Sequence, residues 1–315
     1  MREFIVTPET EGARLMKYLN RLLPLAADGF LYRMLRKKNI TLNGKKAGGK
    51  EVLSAGDTIA VFFSDETFDR FHGQERTQSG QKIPEKLPFS ILYEDDSILL
   101  LNKPKGLLAQ GAKPGDESVA SALQQMLPGD PSGVFRPAPA NRLDRNTSGI
   151  MAAGKTLAGT QLLTELIRER KIQKQYLTLV EGHIDKAGSV KGFLVKDEKR
   201  NISRIDTRGE TGKTFSMRYR PLETAGGCTL LEVTLITGRS HQIRAYFADS
   251  GNPVWGDPKY GAGRAGGQFL HAWKMSFPED DRLGGLSGVS IAAPLPESLR
   301  STLTRLGFAF TEDGR

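Results

Sequence analysis

The stretch 141–149 reads Asn-Arg-Leu-Asp-Arg-Asn-Thr-Ser-Gly and places one carboxylate, Asp144, between two guanidinium groups. Neighbouring cations favour the charged form of a carboxylate, and Arg142 and Arg145 could also hold a phosphate backbone. This pattern indicates an ionised Asp held ready for chemistry beside a polyanion. A solvated turn with exposed ion pairs, which contribute little to stability, explains the same residues. The motif alone leaves both interpretations open.

The composition indicates the class of protein, the charge of its partner and its cellular compartment. The 315 residues are 38% hydrophobic and 26% charged, as in soluble globular proteins, and are enough for two domains. With 45 Lys and Arg against 36 Asp and Glu, the formal net charge is +9, which indicates a polyanionic partner. The single Cys, Cys228, excludes an internal disulfide framework and favours a reducing compartment. Because no apolar signal core or membrane-length stretch is seen, we predict a cytoplasmic protein with no membrane segment.

Residues 1–63 are predicted to form a small α/β module. Apolar residues recur at helical spacing over 15–23 and again over 30–35. The segment 40–46 alternates like a strand and turns at an Asn-Gly pair, as hairpins do, and a closing strand follows at 58–63. Cations at the end of the second helix and in the hairpin are expected to share one edge, a phosphate-binding geometry. They are Arg36, Lys37, Lys38, Lys45 and Lys46.

This module resembles the RNA-binding domain named after small-subunit ribosomal protein four. The resemblance rests on residues 12–19, on residues 35–44 with their Arg-Lys-Lys-Asn run, and on Gly56-Asp57. It implies that the five cations contact structured RNA. An ordinary capped and solvated helix end explains part of the same basic cluster.

Beyond the module, residues 64–86 lose the apolar pattern and are predicted to be an exposed linker. Residues 87–315 are predicted to form a second domain in which strands dominate, among them 97–102, 149–155 and 175–182. A helix capped by Thr156 is expected to follow the second of these strands. The predicted fold is α+β, with a mixed, mainly antiparallel sheet.

Two short motifs match nucleotide-binding patterns. Residues 149–156 fit the phosphate-cradling loop, but the four residues between its glycines are Ile, Met, Ala and Ala, which look like a strand. Residues 261–266 fit the dinucleotide pattern, yet no strand precedes them. No two of the four His have metal-ligand spacing. We therefore predict no nucleotide cofactor and no metal, and keep a phosphate-loop hydrolase only as a third interpretation, testable by Lys155→Ala.

Five segments in a fixed order carry a more specific resemblance. They are 141–149, 174–176, 237–244, 256–261 and 270–272. In this order and spacing they are similar to the RluA-type pseudouridine synthases, which modify large-subunit ribosomal RNA. The resemblance covers about residues 87–310, and the amino-terminal module makes the whole chain similar to the RluC and RluD branch.

The resemblance implies a role for several side chains. Asp144 would be the catalytic carboxylate, which could attack the sugar or the base covalently or remove a ribose proton. Arg142 would fill the gap left by a flipped uridine. Tyr176 would lie against that base and is a candidate for the later proton transfer. Arg244 would pair with Asp144, with Arg239 as second choice.

Several points remain open beside these roles. The resemblance also implies that Leu270 lines the pocket for the flipped base. Tyr176 could instead be an aromatic residue of the core, and Arg244 could instead form a surface ion pair. The family commonly has His where Asn141 stands, so a role for that His does not transfer to this chain. We predict an RNA pseudouridine synthase that acts on ribosomal RNA as a monomer and without a cofactor. The alternative is a non-catalytic RNA-binding or ribosome-assembly factor.

Overall fold

The computed structural model describes residues 1–312 except 73–86, 112, 114, 128–133, 199, 207–208, 210–211 and 264–266. The amino-terminal part contains β1 (Arg2–Ile5), α1 (Leu15–Leu22), α2 (Asp28–Arg36), β2 (Ile40–Leu42), β3 (Lys45–Lys46), β4 (Thr58–Val61) and α3 (Asp65–His72). Its four strands form an antiparallel sheet in the order β1-β4-β2-β3. The two helices and the hairpin occupy the segments that their periodicity predicts. The turn between β2 and β3 places Asn43 and Gly44 at positive φ, which these two residues tolerate best.

The helix α3 corrects one prediction. Phe68 on this helix is buried and stacks on Phe4, with 5.8 Å between the ring centroids. The linker prediction is therefore wrong for residues 65–72, and its remainder, 73–86, lies outside the described residues. The helix is hard to predict because Phe68 and Phe71 are its only large apolar residues in an otherwise charged segment.

The rest of the chain builds one large sheet with helices around it. Its elements are β5 (Ser90–Glu94), β6 (Ile98–Lys103), α4 (Val119–Met126), β7 (Ala138–Pro139), β8 (Ser148–Gly154), α5 (Leu157–Arg168), β9 (Gln173–Glu181), β10 (Gly188–Asp197), β11 (Ile202–Ile205), β12 (Lys213–Ala225), β13 (Cys228–Leu235), α6 (Gln242–Asp249), β14 (Leu270–Ser276), a 3-10 helix (Asp281–Leu286), β15 (Ser290–Ala292) and α7 (Glu297–Leu306). The strand order is β11-β10-β12-β13-β9-β14-β8-β6-β5, with β15 on β14 and β7 on β8. Among the described strands only β14 and β8 pair in parallel, so the predicted mixed, mainly antiparallel α+β fold is confirmed.

The strand β8 is the central element for the motif at 141–149. All seven of its residues are buried. Gly149 has φ +113°, and a Cβ there would lie 2.1 Å from the carbonyl oxygen of Ala272 on β14, so only glycine permits this close parallel pairing. At the other end, the Thr156 side chain accepts a hydrogen bond from the Gly159 amide and caps α5, as predicted. The segment that matched a phosphate-cradling loop is therefore a strand.

The amino-terminal module packs against the far end of β8. The Leu157 amide donates to the Glu9 carbonyl at 2.8 Å, and the Arg21 guanidinium donates to the Val134 carbonyl at 3.3 Å. Val134, Phe135 and Leu157 are buried in the same apolar cluster as the helices of the module. The module thus lies beyond the carboxyl end of β8, whereas Asp144 precedes its amino end.

The strands β10 to β12 extend the sheet at one edge. The sequence between residue 182 and the strand at 229 is mostly polar, with a basic cluster at 196–208, and we predicted no strand in it. Along β10, exposed or half-exposed side chains occur on both faces, so no buried alternation marks the strand. The structure shows that the register of β10 is fixed by β12, over Gly188 to Leu194. Three positions of the basic cluster (199, 207 and 208) lie outside the described residues.

Candidate active site

The loop that carries Asp144 is fixed by its backbone and by a neighbouring strand. The Thr147 amide donates to the Asp144 carbonyl at 3.0 Å and closes a turn, while Leu143 points into the core. Gln268, just before β14, donates to the Thr147 hydroxyl at 3.1 Å. The side chain of Asp144 is 27% exposed, so the carboxylate is held at the surface of a rigid loop.

A fully buried lysine donates hydrogen bonds to backbone carbonyls around this loop. Lys103 at the end of β6 donates to the carbonyls of Pro104 and Leu107 at 2.9 Å and of Arg145 at 3.1 Å. Burial lowers the pKa of Lys103 to about 8, and the negative charge of Asp144 opposes this effect. Three carbonyl partners match the three N–H donors of an ammonium. Arg145 itself donates to the Gly106 carbonyl, so it supports the loop.

Arg244 on α6 connects two carboxylates. Its Nη1 donates to Oδ2 of Asp144 at 2.8 Å, and its Nε and Nη2 donate to Asp257 at 2.6 and 2.8 Å. Burial disfavours charge on Arg244 and Asp257, but their mutual hydrogen bonds outweigh it, raising the pKa of Arg244 and lowering that of Asp257. Asp257 also accepts the amides of Lys259 and Tyr260. The guanidinium beside Asp144 therefore has a fixed orientation and a permanent charge.

Two other arginines of the predicted site, Arg239 and Arg142, are exposed. Arg239 is exposed, and its Nε donates to the Thr214 carbonyl at 2.9 Å, so it is not the cation that pairs with Asp144. Its backbone amide is held by the buried side chain of Gln242. Arg142 is exposed beside Asp144 on the same loop. Both lie where an RNA strand could reach them.

Tyr176 and Leu270 lie on β9 and β14, next to each other in the sheet. Both are buried, in one apolar cluster with Leu143 of the motif. Burial, and then the negative charge of Asp144, raise the pKa of Tyr176 above its ordinary value. The phenol therefore stays protonated at neutral pH.

His241 and Tyr260 join the site although no role was predicted for them. His241 Nε2 lies 3.6 Å from Asp144 Oδ2, and its Nδ1 lies 2.9 Å from the Tyr260 hydroxyl. His241 also has a left-handed backbone, with φ 55° at the start of α6. We predicted no metal-binding role for any of the four His, because no two of them have metal-ligand spacing. The signal that could have found His241 is its position inside the segment 237–244.

Asn141 has a structural contact. Its Oδ1 accepts a hydrogen bond from the Ala152 amide at 2.9 Å, next to the bond between the Ala140 amide and the Ala152 carbonyl. The side chain thereby continues the ladder between β7 and β8. An Asn at this position anchors the start of the loop that carries Asp144.

The basic residues of the amino-terminal module form an exposed group. Arg36 ends α2, Lys37 and Lys38 follow it, and Lys45 and Lys46 make up β3. All five side chains are exposed. What they bind remains a prediction.

No metal or membrane feature is found among the described residues. In that part of the chain, no group of three or more His, Cys, Asp or Glu side chains is placed to hold a metal ion. None of the described helices has the length and apolar character needed to cross a membrane.

Comparison with known proteins identifies the class to which this fold and site belong. The family model described as RNA pseudouridylate synthase matches residues 97–249. The human protein RNA Pseudouridylate Synthase Domain Containing 4 superposes with a TM-score of 0.56 at 21% identity, over 69% of this chain and 92% of that one. This likeness shows the pseudouridine synthase fold.

Two bacterial relatives match almost the whole chain. Ribosomal large subunit pseudouridine synthase C of Vibrio cholerae is 30% identical over 96% of this chain and 95% of its own. Ribosomal large subunit pseudouridine synthase D of Xanthomonas campestris is 29% identical over 97% of this chain and 92% of its own. The chain belongs to the RNA pseudouridylate synthase family, as an RluA-type member.

Proposed function

We propose that this pseudouridine synthase converts specific uridines of large-subunit ribosomal RNA to pseudouridine, with Asp144 as the reacting carboxylate. Membership of the family makes the protein an isomerase. The names of its bacterial relatives supply the substrate class. The net charge of +9 and the exposed cations fit a polyanionic RNA.

The observation that carries the proposal is the asymmetry of the Asp144 carboxylate. Arg244 donates to Oδ2, and His241 also approaches Oδ2. Among the described residues Oδ1 has no hydrogen-bond partner, and the side chain is partly exposed. One oxygen is therefore held by the protein, and the other is free to meet the nucleotide.

Conversion of uridine to pseudouridine needs one carboxylate and enough space for the detached uracil to rotate. The bond between uracil N1 and ribose C1′ breaks, the base rotates, a bond forms between C5 and C1′, and the C5 proton is replaced by a proton on N1. The free oxygen of Asp144 can attack the sugar or base, or take a ribose proton, and Arg244 stabilises its charge before the reaction. Burial of the pair formed by Arg244 and Asp257 keeps that cation in place throughout.

The remaining residues of the site are proposed to hold the RNA. Arg142, exposed next to Asp144, takes the place of the flipped uridine. Tyr176 and Leu270 form the wall against which the base lies, and the Tyr176 hydroxyl is the candidate for the later proton transfer. Arg239 contacts the phosphate backbone.

The amino-terminal module is proposed to bind structured RNA through its basic edge. Residues 1–63 form this module and 87–315 the catalytic domain. We also propose that the protein acts as a monomer. A single Cys and a ribosomal substrate support a cytoplasmic location.

The test uses the full-length protein and an unmodified transcript of large-subunit ribosomal RNA. We expect pseudouridine at a small number of positions, and none with Asp144→Asn, which keeps the shape of the side chain but removes its charge. Both forms should bind the transcript equally tightly. Absence of product with the wild-type protein, or product undiminished in the variant, would contradict the proposal. Tight RNA binding without product would instead support a ribosome-assembly factor.

A further inference from the structure

The tautomer of His241 can be assigned from the contacts of Tyr260. The Ser203 amide on β11 donates to the Tyr260 hydroxyl oxygen at 2.6 Å. Within the described part of the chain, the other partner of this hydroxyl is His241 Nδ1, at 2.9 Å. A backbone amide can only donate, which leaves the hydroxyl proton available to Nδ1, and the Asp144 carboxylate on the other side of the ring favours a proton on Nε2. The imidazole proton then resides on Nε2, the nitrogen that faces Asp144.

The surroundings of His241 keep its ring neutral. Burial lowers its pKa, Arg244 and Lys259 act in the same direction, and Asp144 and Asp257 act against them. These four charged groups and the Tyr260 phenol are the titratable groups that face the ring. A neutral imidazole with its proton on Nε2 is a donor toward Asp144 that adds no net charge beside Arg244.

The backbone conformation of His241 supports a specific position for its imidazole beside Asp144. A residue other than Gly at φ 55° is uncommon and costs energy, and such strain concentrates at functional positions. The left-handed residue at the start of α6 turns the imidazole toward Asp144 and Tyr260. Its side chain is only 9% exposed.

We propose that His241 is a positioning residue for Asp144: its Nε2–H, fixed by the Tyr260 hydroxyl, acts with Arg244 on Oδ2 and leaves Oδ1 for the substrate. The inference rests on the proposed role of Asp144. The distance of 3.6 Å in the free protein is longer than a hydrogen bond, and such contacts shorten when the substrate is bound. The hydroxyl of Tyr260 also links this contact to Ser203, so β11 helps to fix the tautomer.

Two matched variants separate positioning from backbone support. Asn tolerates the left-handed conformation well and keeps a polar atom near the place of Nδ1, but it cannot reach Asp144. Gln is less suited to that backbone, yet its amide N–H can lie near the place of Nε2. If His241 donates to Asp144, the rate of pseudouridine formation by His241→Gln should stay within about threefold of the wild-type rate. The rate of His241→Asn should then be about 10- to 100-fold lower than that of the wild type. A merely structural role predicts the opposite order.

The rates are measured in single-turnover experiments with saturating transcript, and RNA affinity is measured for every variant. Affinity should change by less than about twofold, because His241 is placed behind the carboxylate. Equal rates for both variants, or a slower His241→Gln, would overturn the inference. These outcomes require an active wild-type protein, so they are distinct from a failure of the proposed function.

A second measurement does not depend on activity at all. In protein labelled with ¹⁵N-histidine, long-range ¹H–¹⁵N spectra report which ring nitrogen carries the proton, and the His241 signals are those missing from His241→Asn. We expect the Nε2–H tautomer in the wild-type protein and a mixture of tautomers in Tyr260→Phe, which keeps the ring but removes the hydroxyl. A wild-type ring protonated on Nδ1, alone or together with Nε2, would overturn the proposal.

Discussion

Asp257 holds Arg244 through two hydrogen bonds, 2.6 Å from Nε and 2.8 Å from Nη2, and both side chains are buried. A bidentate carboxylate fixes the plane of a guanidinium as well as its position. The third donor of Arg244, Nη1, is thereby aimed at Asp144. Asp257 thus orients the donor that binds Asp144 without touching the Asp144 carboxylate itself.

Removal of Asp257 should damage both stability and activity. Asp257→Ala leaves a buried guanidinium with one of its two partners gone, and the expected loss is about 3–5 kcal/mol of unfolding free energy. Denaturant titration measures this loss. In single-turnover assays without denaturant, the rate of pseudouridine formation should be at least about tenfold lower than that of the wild type. Glu165→Ala is the matched control, because it breaks a surface pair with Arg282 and should cost less than about 1 kcal/mol. Equal effects of the two substitutions would contradict the prediction.

Arg239 and Arg244 should differ in the step that they affect. Arg239→Ala removes an exposed cation, so RNA affinity should fall and its dependence on salt should weaken by about one phosphate contact. The rate at saturating RNA should change by less than about twofold. Arg244→Lys should lower that rate by at least about 100-fold, since a lysine cannot hold Asp257 by two bonds and still reach Asp144. The prediction fails if Arg239→Ala lowers the saturating rate as strongly as Arg244→Lys.

The buried His271 should make the protein sensitive to acid. Its Nδ1 lies 2.9 Å from the Ser148 hydroxyl and its Nε2 lies 3.0 Å from the Ala293 carbonyl, as suits a neutral ring. Burial lowers the pKa of His271 to about 4. Between pH 6.5 and 4 the unfolded chain binds this proton and the folded protein does not, so stability falls as the pH falls, by about 3 kcal/mol from this group.

His271→Gln isolates that contribution. Other groups titrate in both proteins, so the difference in unfolding free energy between wild type and variant is the quantity to follow from pH 7 to pH 4. The wild-type advantage at pH 7 should shrink steadily through this interval. The exposed His183→Gln serves as the control for loss of a surface imidazole. A constant difference between wild type and His271→Gln would show that His271 does not titrate as inferred.

Gly149 should be irreplaceable. A methyl group there would overlap the Ala272 carbonyl, and its φ of +113° disfavours any other residue, so Gly149→Ala should cost more than about 3 kcal/mol. Gly29→Ala on α2 meets no atom within 4 Å and should be neutral or stabilising by about 0.5–1 kcal/mol. Thermal or denaturant unfolding compares the two. A mild effect at Gly149 would mean that β8 and β14 can separate without loss.

Local patterns were enough to predict many of the elements. The helix after Thr156 and the hairpin at Asn43 follow from residues within a few positions of each other, so periodicity and caps identify them. Along β12, Phe215, Met217 and Tyr219 alternate with polar residues, a strand signal that we did not use. The strands β10 and β11 and the helix α3 lack a clear apolar face. Contacts from elsewhere in the chain stabilise them, and local sequence does not report such contacts.

The candidate site shows the same division. Asp144 stands out because its two arginine neighbours are adjacent in sequence. The contact between Asp144 and Arg244 joins positions 100 residues apart, and Asp257, which holds Arg244, lies 13 residues further along the chain. Only the folded chain brings the three side chains together. The left-handed backbone that turns His241 toward Asp144 also depends on this packing, so its part in the site could not be derived from residue type.

If the amino-terminal module binds RNA as proposed, its docking at the far end of β8 sets a minimum size for that RNA. Seven strand residues span about 20 Å, and this length separates the docked module from the loop that carries Asp144. The basic edge of the module and the loop that carries Asp144 would then contact different parts of one folded RNA. A short oligonucleotide around the target uridine would fill the pocket and leave the basic edge empty. The footprint that the enzyme recognises is then a tertiary shape, with the uridine at one end of it.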